Sequence, residues 1–94
     1  MKKHEIKHRL TELISFPNVG RDFQKQVYRL GKIRGSGLVY FFDTYMKLDW
    51  KSTVFYIPYN IVKHIERNGE SIEFHTVKGK IEINLPQKKK IVYL

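Results

Sequence analysis

The sequence predicts a mainly β domain with an N-terminal α-helix, in which a small, strongly bent antiparallel sheet or barrel is followed by a C-terminal β-hairpin. Three observations indicate this fold: apolar residues at helical spacing near the N-terminus, a glycine-rich segment ahead of short apolar runs, and alternating apolar and polar residues near the C-terminus. A length of 94 residues is typical of a single domain. Within residues 1–94 we expect a helix over 1–16, a barrel-like core over 26–67 and C-terminal strands over 70–94.

Residues 2–15 have the apolar spacing of an amphipathic helix. The apolar stripe consists of Ile6, Leu10, Leu13 and Ile14. Pro17 ends the helix, because a residue that precedes proline is disfavoured in the helical region. Four basic residues fall largely off the stripe: Lys2, Lys3, Lys7 and Arg9. This basic face is either a solvated surface or a contact surface for nucleic acid.

The segment after the helix has mixed signals. Residues 16–20 (FPNVG) contain proline, asparagine and glycine, and are predicted to form a loop. In residues 21–30 some apolar positions have helical spacing, whereas the last four residues could equally begin a strand. We expect a short helix or turn that runs into a strand near Gln26.

Residues 32–43 are predicted to form a strand that bends at Gly35 and Gly37, because glycines inside a strand commonly mark a bulge or a tight bend. A turn at residues 43–44 follows. Residues 46–50 then alternate between apolar and charged side chains, which is typical of a half-buried strand with one wet face.

Two further strands are predicted before the C-terminal hairpin. Residues 53–57 are β-branched and aromatic, and Pro58 after them indicates a strand end or an edge because proline cannot donate a ladder hydrogen bond. Residues 61–65 form the next apolar segment. Asn68 and Gly69 then form a turn of the type that joins antiparallel strands.

The C-terminal hairpin is predicted from residues 71–77 and 81–85, which alternate on either side of a turn at Lys78 and Gly79. After it, the apolar residues 91–94 are expected to pair with a sheet edge.

The net charge of +9, from 18 basic and 9 acidic residues, predicts an anionic partner. The excess is concentrated in residues 1–36 and 70–94. A run of three lysines, Lys88, Lys89 and Lys90, contributes to it. Such a run either blunts a sheet edge or contacts phosphate.

Several function classes have no support in the sequence. The chain has no cysteine, which excludes disulfides, thiolate metal sites and a cysteine nucleophile. The four histidines are scattered, and neither paired carboxylates nor a phosphate-binding glycine loop can be recognised. We therefore expect no enzyme activity, no metal site, no cofactor and no small-molecule substrate. No apolar run approaches the roughly 18 residues of a membrane span, so we expect a cytoplasmic protein without a membrane partner.

A pattern over about residues 28–66 carries a family resemblance. YRLGKIRGSGLVYFFDTYMKL contains a strand, a glycine turn, a second strand with an internal glycine, an acidic turn and a hydrophobic residue, and YIPYNIVKHI provides a shorter second motif. This order resembles the Sm-like family of small barrels, of the Hfq type. The resemblance implies a five-stranded barrel that assembles edge to edge into a ring, and hence a homo-oligomer, with RNA on the face of the ring.

The resemblance also implies site residues. Tyr45 and Tyr59 would stack on bases, although each could equally be a half-buried strand residue. Lys47 stands where the family has a base-contacting asparagine, and it would contact a base or a phosphate. Pro58 and Tyr59 stand where the Hfq type has a lysine and a histidine.

Charge, aromatic content and resemblance together predict a non-catalytic nucleic-acid-binding protein. RNA or single-stranded nucleic acid is favoured over duplex DNA, and a regulatory role is compatible with this prediction. The predicted contact residues are Lys32, Arg34, Tyr45, Lys47, Tyr59, Lys88, Lys89 and Lys90.

Other interpretations of the same residues stay open. The strand at 38–42, the segment 55–66 and the following hairpin also resemble a PH or GRAM-type sheet, or the start of a LytTR-type DNA-binding domain. A protein-interaction or assembly module would instead use exposed strand edges at residues 53–57 and 91–94 to add strands from a partner. A membrane-surface role for the basic helix is a further interpretation.

Overall fold

The computed structural model describes residues 1–22, 25–86 and 92–93. Across these residues the chain forms one α-helix and eight strands in two antiparallel sheets, which confirms the predicted mainly β fold with an N-terminal helix. The elements are α1 (Lys3–Leu13), β1 (Asn18–Asp22), β2 (Lys25–Arg29), β3 (Leu38–Phe41), β4 (Tyr45–Trp50), β5 (Thr53–Pro58), β6 (Val62–Asn68), β7 (Ser71–Thr76) and β8 (Gly79–Asn84).

Helix α1 packs its apolar stripe into the core, as predicted. Ile6 and Leu10 are fully buried, and they belong to one hydrophobic cluster that includes residues of both sheets. The helix is also tied to β6, because Arg9 Nε donates a hydrogen bond to the carbonyl oxygen of Ile65 at 2.9 Å. At its start, the Lys2 backbone N–H donates to Glu5 Oε1 at 2.9 Å and caps the first turn. These two contacts fix the position of α1 on the second sheet and the start of its first turn.

The first sheet has the strand order β1-β2-β3-β4-β5, so every neighbour in sequence is a neighbour in space. Alternation along β4 buries Met46 and Leu48, which confirms the half-buried strand predicted for residues 46–50. Tyr45, Lys47 and Asp49 lie on the opposite face, which we call the outer face of the first sheet. Strand β5 is an edge of this sheet, as Pro58 at its end indicated.

The region before β3 differs from the prediction. Residues 18–20 were predicted to form a loop and residues 21–22 a short helix or turn. Residues 18–22 instead form strand β1, because they pair with β2, where Arg21 lies opposite Gln26. The strand expected near Gln26 is confirmed as β2. Residues 32–34 are not in a strand. They belong to the loop between β2 and β3, where Gly31 and Gly35 have φ angles of 103° and 93° that extended strands do not use.

The second sheet has the order β6-β7-β8 and contains the predicted C-terminal hairpin as β7 and β8. Strand β6, which the family resemblance assigned to the same barrel as the preceding strands, pairs with β7 instead. A short 3₁₀ turn, Tyr59–Ile61, separates β5 from β6 and redirects the chain into the second sheet.

No helix in the described parts of the chain has the length and apolar character needed to cross a bilayer. The segment expected to pair with a sheet edge, residues 91–94, falls partly outside the described residues. Within it, Val92 and Tyr93 are exposed and belong to no strand.

Candidate nucleic-acid interface

The outer face of the first sheet carries a cross-strand row of aromatic and basic side chains. The strand register places Tyr40 opposite Lys47, and Lys47 opposite Tyr56. Lys47 Nζ lies 4.0 Å from the centroid of the Tyr40 ring, a cation–π contact. At the edge strand, 65% of Tyr56 is exposed to solvent. The row therefore presents one open aromatic ring next to a lysine that is held in place.

A second aromatic row lies beside the first. The rings of Phe42 and Tyr45 are stacked, with centroids 4.7 Å apart and planes inclined by 9°. The Tyr45 ring is in turn 6.2 Å from that of Tyr56. Lys25 Nζ lies 5.8 Å from the centroid of Phe42. Phe42 thus supports Tyr45, and Tyr45 and Tyr56 form a pair of neighbouring rings at the end of the sheet.

These two tyrosines line a cleft of about 820 Å³, which we call the aromatic groove. Its lining residues are Met1, Lys2, Lys3, Asp43, Thr44, Tyr45, Tyr56, Pro58, Tyr59 and Asn60. The volume is in the range of sites that hold small organic groups. Aromatic walls, hydroxyl and amide groups and two lysines give the groove both a stacking surface and hydrogen-bonding groups.

A second, smaller cleft of about 250 Å³ lies between α1 and the β1–β2 hairpin, and we call it the basic cleft. Its lining residues are Lys3, Lys7, Arg21, Lys25, Gln26 and Phe41. Four of the six are cationic and none is acidic, so the local potential of the described residues favours an anion.

The geometry of the basic cleft follows from two local features. Lys3 and Lys7 are one helical turn apart on α1, a spacing at which like charges weaken a helix by about 0.2–0.5 kcal/mol. Lys7 Nζ is fixed by a hydrogen bond of 3.3 Å to Gln26 Oε1 and lies 4.9 Å from the Phe41 ring centroid. The cations of the basic cleft repel one another, and a bound anionic ligand would reduce this repulsion.

The predicted site residues are only partly brought together. Tyr45 lines the aromatic groove, and Lys47 lies on the outer face beside it. Lys32 and Arg34 are exposed on the loop between β2 and β3, and Lys32 lines a separate cavity of about 290 Å³ that also includes Arg67. Lys88, Lys89 and Lys90 lie outside the described residues.

Tyr59 has a different environment from the one predicted. Only 6% of the residue is exposed, its hydroxyl donates to the Phe42 carbonyl oxygen at 2.5 Å, and its ring is 6.4 Å from that of Phe41. Burial raises the pKa of Tyr59 well above its ordinary value, against the opposing effect of the Phe42 hydrogen bond, and the nearby Asp43 raises it further. The ring is a buried wall of the aromatic groove rather than an open stacking surface.

Tyr56, Arg21 and Lys25 were not among the predicted contacts. Arg21 on β1 lies opposite Gln26, the neighbour of Lys25 on β2, and the two cations converge only because residues 18–22 and 25–29 form paired strands. Tyr56 faces outward because it alternates with the buried Ile57, a signal present in the sequence.

This surface therefore combines a groove with two adjacent tyrosines and a cleft with four cations, and Lys3 lines both. Comparisons of the chain with family models, with curated proteins and with solved structures found no match.

Proposed function

We propose that this protein is a non-catalytic nucleic-acid-binding protein that holds a single strand, RNA in preference to DNA, across the aromatic groove and the basic cleft. The observation that carries the proposal is the position of Lys3, which lines both sites. A stacking surface and a set of phosphate-binding cations are therefore contiguous. That is the combination that single-stranded recognition requires.

Bases would stack on Tyr56 and Tyr45. Tyr56 has an exposed ring, and Tyr45 is held in orientation by its stacking on Phe42. Stacking on an aromatic side chain contributes about 1–3 kcal/mol per base and tolerates any base, because every base has a π face. Bases inside a duplex do not expose these faces, which favours a single strand over duplex DNA.

The sugar–phosphate backbone of the nucleic acid would follow a row of basic side chains. Lys2 and Lys3 at one side of the aromatic groove lead to Lys7, Arg21 and Lys25 in the basic cleft. Preference for RNA would come from Thr44 and Asn60, which line the groove and can hydrogen-bond a ribose 2′-hydroxyl.

As a second part of the proposal, the protein assembles into a homo-oligomer and is related to the Sm-like family. Two features support this part: the N-terminal helix, and a five-stranded antiparallel sheet whose edge strands are β1 and β5. Strand addition between β5 of one copy and an edge of the next would close a ring. Light scattering on the purified protein tests the assembly, and a monomer at all concentrations would remove this part without affecting the binding proposal.

The binding proposal is tested by fluorescence anisotropy with labelled single-stranded RNA, single-stranded DNA and duplex DNA of one sequence, at low and moderate salt. Tyr56→Ala should weaken RNA binding by about tenfold, while Tyr56→Phe, which keeps the stacking face, should bind nearly as the parent does. Circular dichroism melts establish that both variants are folded. Absence of saturable binding to RNA at low salt, or equal affinity of the Ala and Phe variants with the parent, would contradict the proposal. Tighter binding to duplex DNA than to RNA would contradict its single-strand assignment.

A further inference from the structure

The exposed face of the second sheet carries an ordered group of ionisable side chains. The register of β6, β7 and β8 aligns His64, His75 and Lys80 in one cross-strand row. In the adjacent row it aligns Glu66, Glu73 and Glu82. The buried residues Ile65 and Phe74 lie opposite each other on the other face of the sheet, so alternation keeps both polar rows together on the outside.

Two histidines and a glutamate of these rows converge on one point. The rings of His64 and His75 are stacked with centroids 4.2 Å apart and planes inclined by 12°. Glu66 Oε1 lies 2.9 Å from His75 Nε2 and 3.8 Å from His64 Nε2. The ligand atoms of the three side chains all lie within 4.8 Å of one another, and no other group of three or more His, Cys, Asp or Glu residues in the described parts of the chain meets this condition.

The hydrogen bonds of His75 indicate where a cation would sit. Its Nε2 is 2.9 Å from Glu66 Oε1 and 3.1 Å from Glu73 Oε1. Ionised carboxylate oxygens only accept hydrogen bonds, so the one hydrogen on Nε2 is shared between two negative groups. A divalent ion in place of that hydrogen would meet the His75 nitrogen and the Glu66 carboxylate, with the negative charge of Glu73 close by.

The carboxylates on this face differ in how many positively charged partners they have. Like charges directly opposite each other destabilise a sheet, and Glu73 lies between Glu66 and Glu82. Glu73 is 5% exposed and is held by Lys80 Nζ at 3.4 Å and Asn68 Nδ2 at 3.5 Å. Within the described chain, the ion-pair partners of Glu66 are the two histidines and no lysine or arginine. A bound cation would therefore add the most charge compensation at Glu66.

We propose that His64, His75 and Glu66 form a binding site for a divalent transition-metal ion, with Zn²⁺ the best match to the ligand set. Two imidazoles and one carboxylate are an established zinc ligand set, with water in the fourth position. Zinc lies about 2.0–2.2 Å from such ligands, so tetrahedral neighbours are about 3.4 Å apart. The observed separations of 2.9 and 3.8 Å bracket that distance. Because 57% of the His64 side chain is exposed, it can rotate to complete the geometry.

The ion would cross-link β6 to β7, since His64 and Glu66 lie on one strand and His75 on the other. Ligands on two strands are brought together only in the folded chain, so the ion would raise the melting temperature. This inference is independent of the proposed nucleic-acid binding, which involves the first sheet and α1.

The test uses chelator-treated protein without a polyhistidine tag, titrated with ZnCl₂ by isothermal calorimetry and by thermal melting. We expect one Zn²⁺ per chain. The melting temperature should rise by roughly 10 °C when free Zn²⁺ is a hundredfold above the dissociation constant. Co²⁺ substituted for Zn²⁺ should give visible absorption bands of a four-coordinate site. Absence of saturable Zn²⁺ binding up to millimolar concentration would overturn the proposal.

Three variants locate the ion. His64→Asn, His75→Asn and Glu66→Gln should each weaken Zn²⁺ binding at least tenfold. The matched control is His8→Asn, since His8 on α1 is exposed and lies 3.3 Å from Glu12 as another histidine–glutamate pair. It should bind Zn²⁺ as the parent does. Because His64 is exposed, its variant should melt within about 2 °C of the metal-free parent. Undiminished binding in His64→Asn, or loss of binding in His8→Asn, would overturn the proposal.

Discussion

Lys47 Nζ lies 4.0 Å from the centre of the Tyr40 ring, and the two residues are directly opposite each other on β4 and β3. The contact covers the Tyr40 ring and fixes the lysine on the outer face of the first sheet. Lys51 Nζ makes a similar contact, 4.4 Å from the Trp50 ring, but at the β4–β5 turn. The two lysines therefore share a type of contact, but Lys51 lies at the turn and not beside Tyr56 on the outer face.

Lys47→Met should weaken RNA binding severalfold, because it removes the charge beside Tyr56 while keeping an apolar stem. Lys51→Met should leave RNA binding unchanged. Each variant should lose about 0.5–1 kcal/mol of unfolding free energy, the usual worth of an exposed cation–π pair. Urea unfolding and anisotropy measure the two effects. Equal loss of RNA affinity in both variants would place the RNA elsewhere.

The basic cleft predicts a specific salt dependence. For single strands, log K falls with log [salt] with a slope of about −0.7 per neutralised phosphate. Lys25→Gln should therefore make the slope shallower by about 0.7 if Lys25 meets one phosphate. The matched control is Lys63→Gln, since Lys63 is exposed on β6 of the second sheet. A slope unchanged in Lys25→Gln would exclude a phosphate at this cleft.

The sequence predicted those elements whose signal is local. The stripe through Ile6 and Leu10 spans several helical turns, and strict alternation marked β7 and β8. Strand β1 could not be predicted in this way, because residues 16–20 have the composition of a loop and β1 exists through its pairing with β2. The same limit applies to the site: Lys7 and Lys25 meet only when α1 packs beside that hairpin.

Tyr56 and Tyr59 show a finer limit. The family resemblance pointed to Tyr59, but the 3₁₀ turn after Pro58 directs that side chain into the core, where its hydroxyl bonds the Phe42 carbonyl. Tyr56 remains on the regular strand and faces solvent. The three-residue turn Tyr59–Ile61 is enough to bury Tyr59 while Tyr56 stays exposed, and nothing in the local sequence pattern indicates the turn.

The backbone conformation of Gly35, in the loop between β2 and β3, can be tested by substitution. Gly35 has a φ of 93°, and a Cβ added there would meet no atom within 4 Å. Gly35→Ala should therefore cost about 1–3 kcal/mol of unfolding free energy through backbone strain alone. Gly35→Asn should cost less, because asparagine adopts positive φ more readily. Equal stability of the parent and Gly35→Ala in urea would mean that Gly35 does not adopt the positive φ that the loop gives it.

Leu10 tests how far the helix contributes to the common core. It is fully buried and belongs to the cluster that joins α1 to both sheets. Leu10→Ala should lower the unfolding free energy by about 2–5 kcal/mol, the usual cost of a cavity at a buried leucine. Thr11→Ala, one residue away and exposed, should change it by less than about 0.5 kcal/mol. A loss below about 1 kcal/mol in Leu10→Ala would show that α1 is not docked on the sheets.

Acid should loosen the start of α1. The hydrogen bond from the Lys2 backbone N–H lowers the pKa of Glu5 below its ordinary value of 4.5, and the nearby charges of His4 and Lys2 lower it further. A carboxyl group with a lowered pKa stabilises the fold above its unfolded pKa, and this contribution is lost as the pH falls through the folded value. Glu5→Gln keeps an acceptor for the Lys2 N–H but cannot titrate. The stability of the parent should therefore fall more steeply than that of Glu5→Gln between about pH 6 and pH 3, measured by urea unfolding. Parallel curves for the two proteins would show that the Glu5 carboxylate does not hold the first turn of the helix that carries Lys3 and Lys7 to the basic cleft.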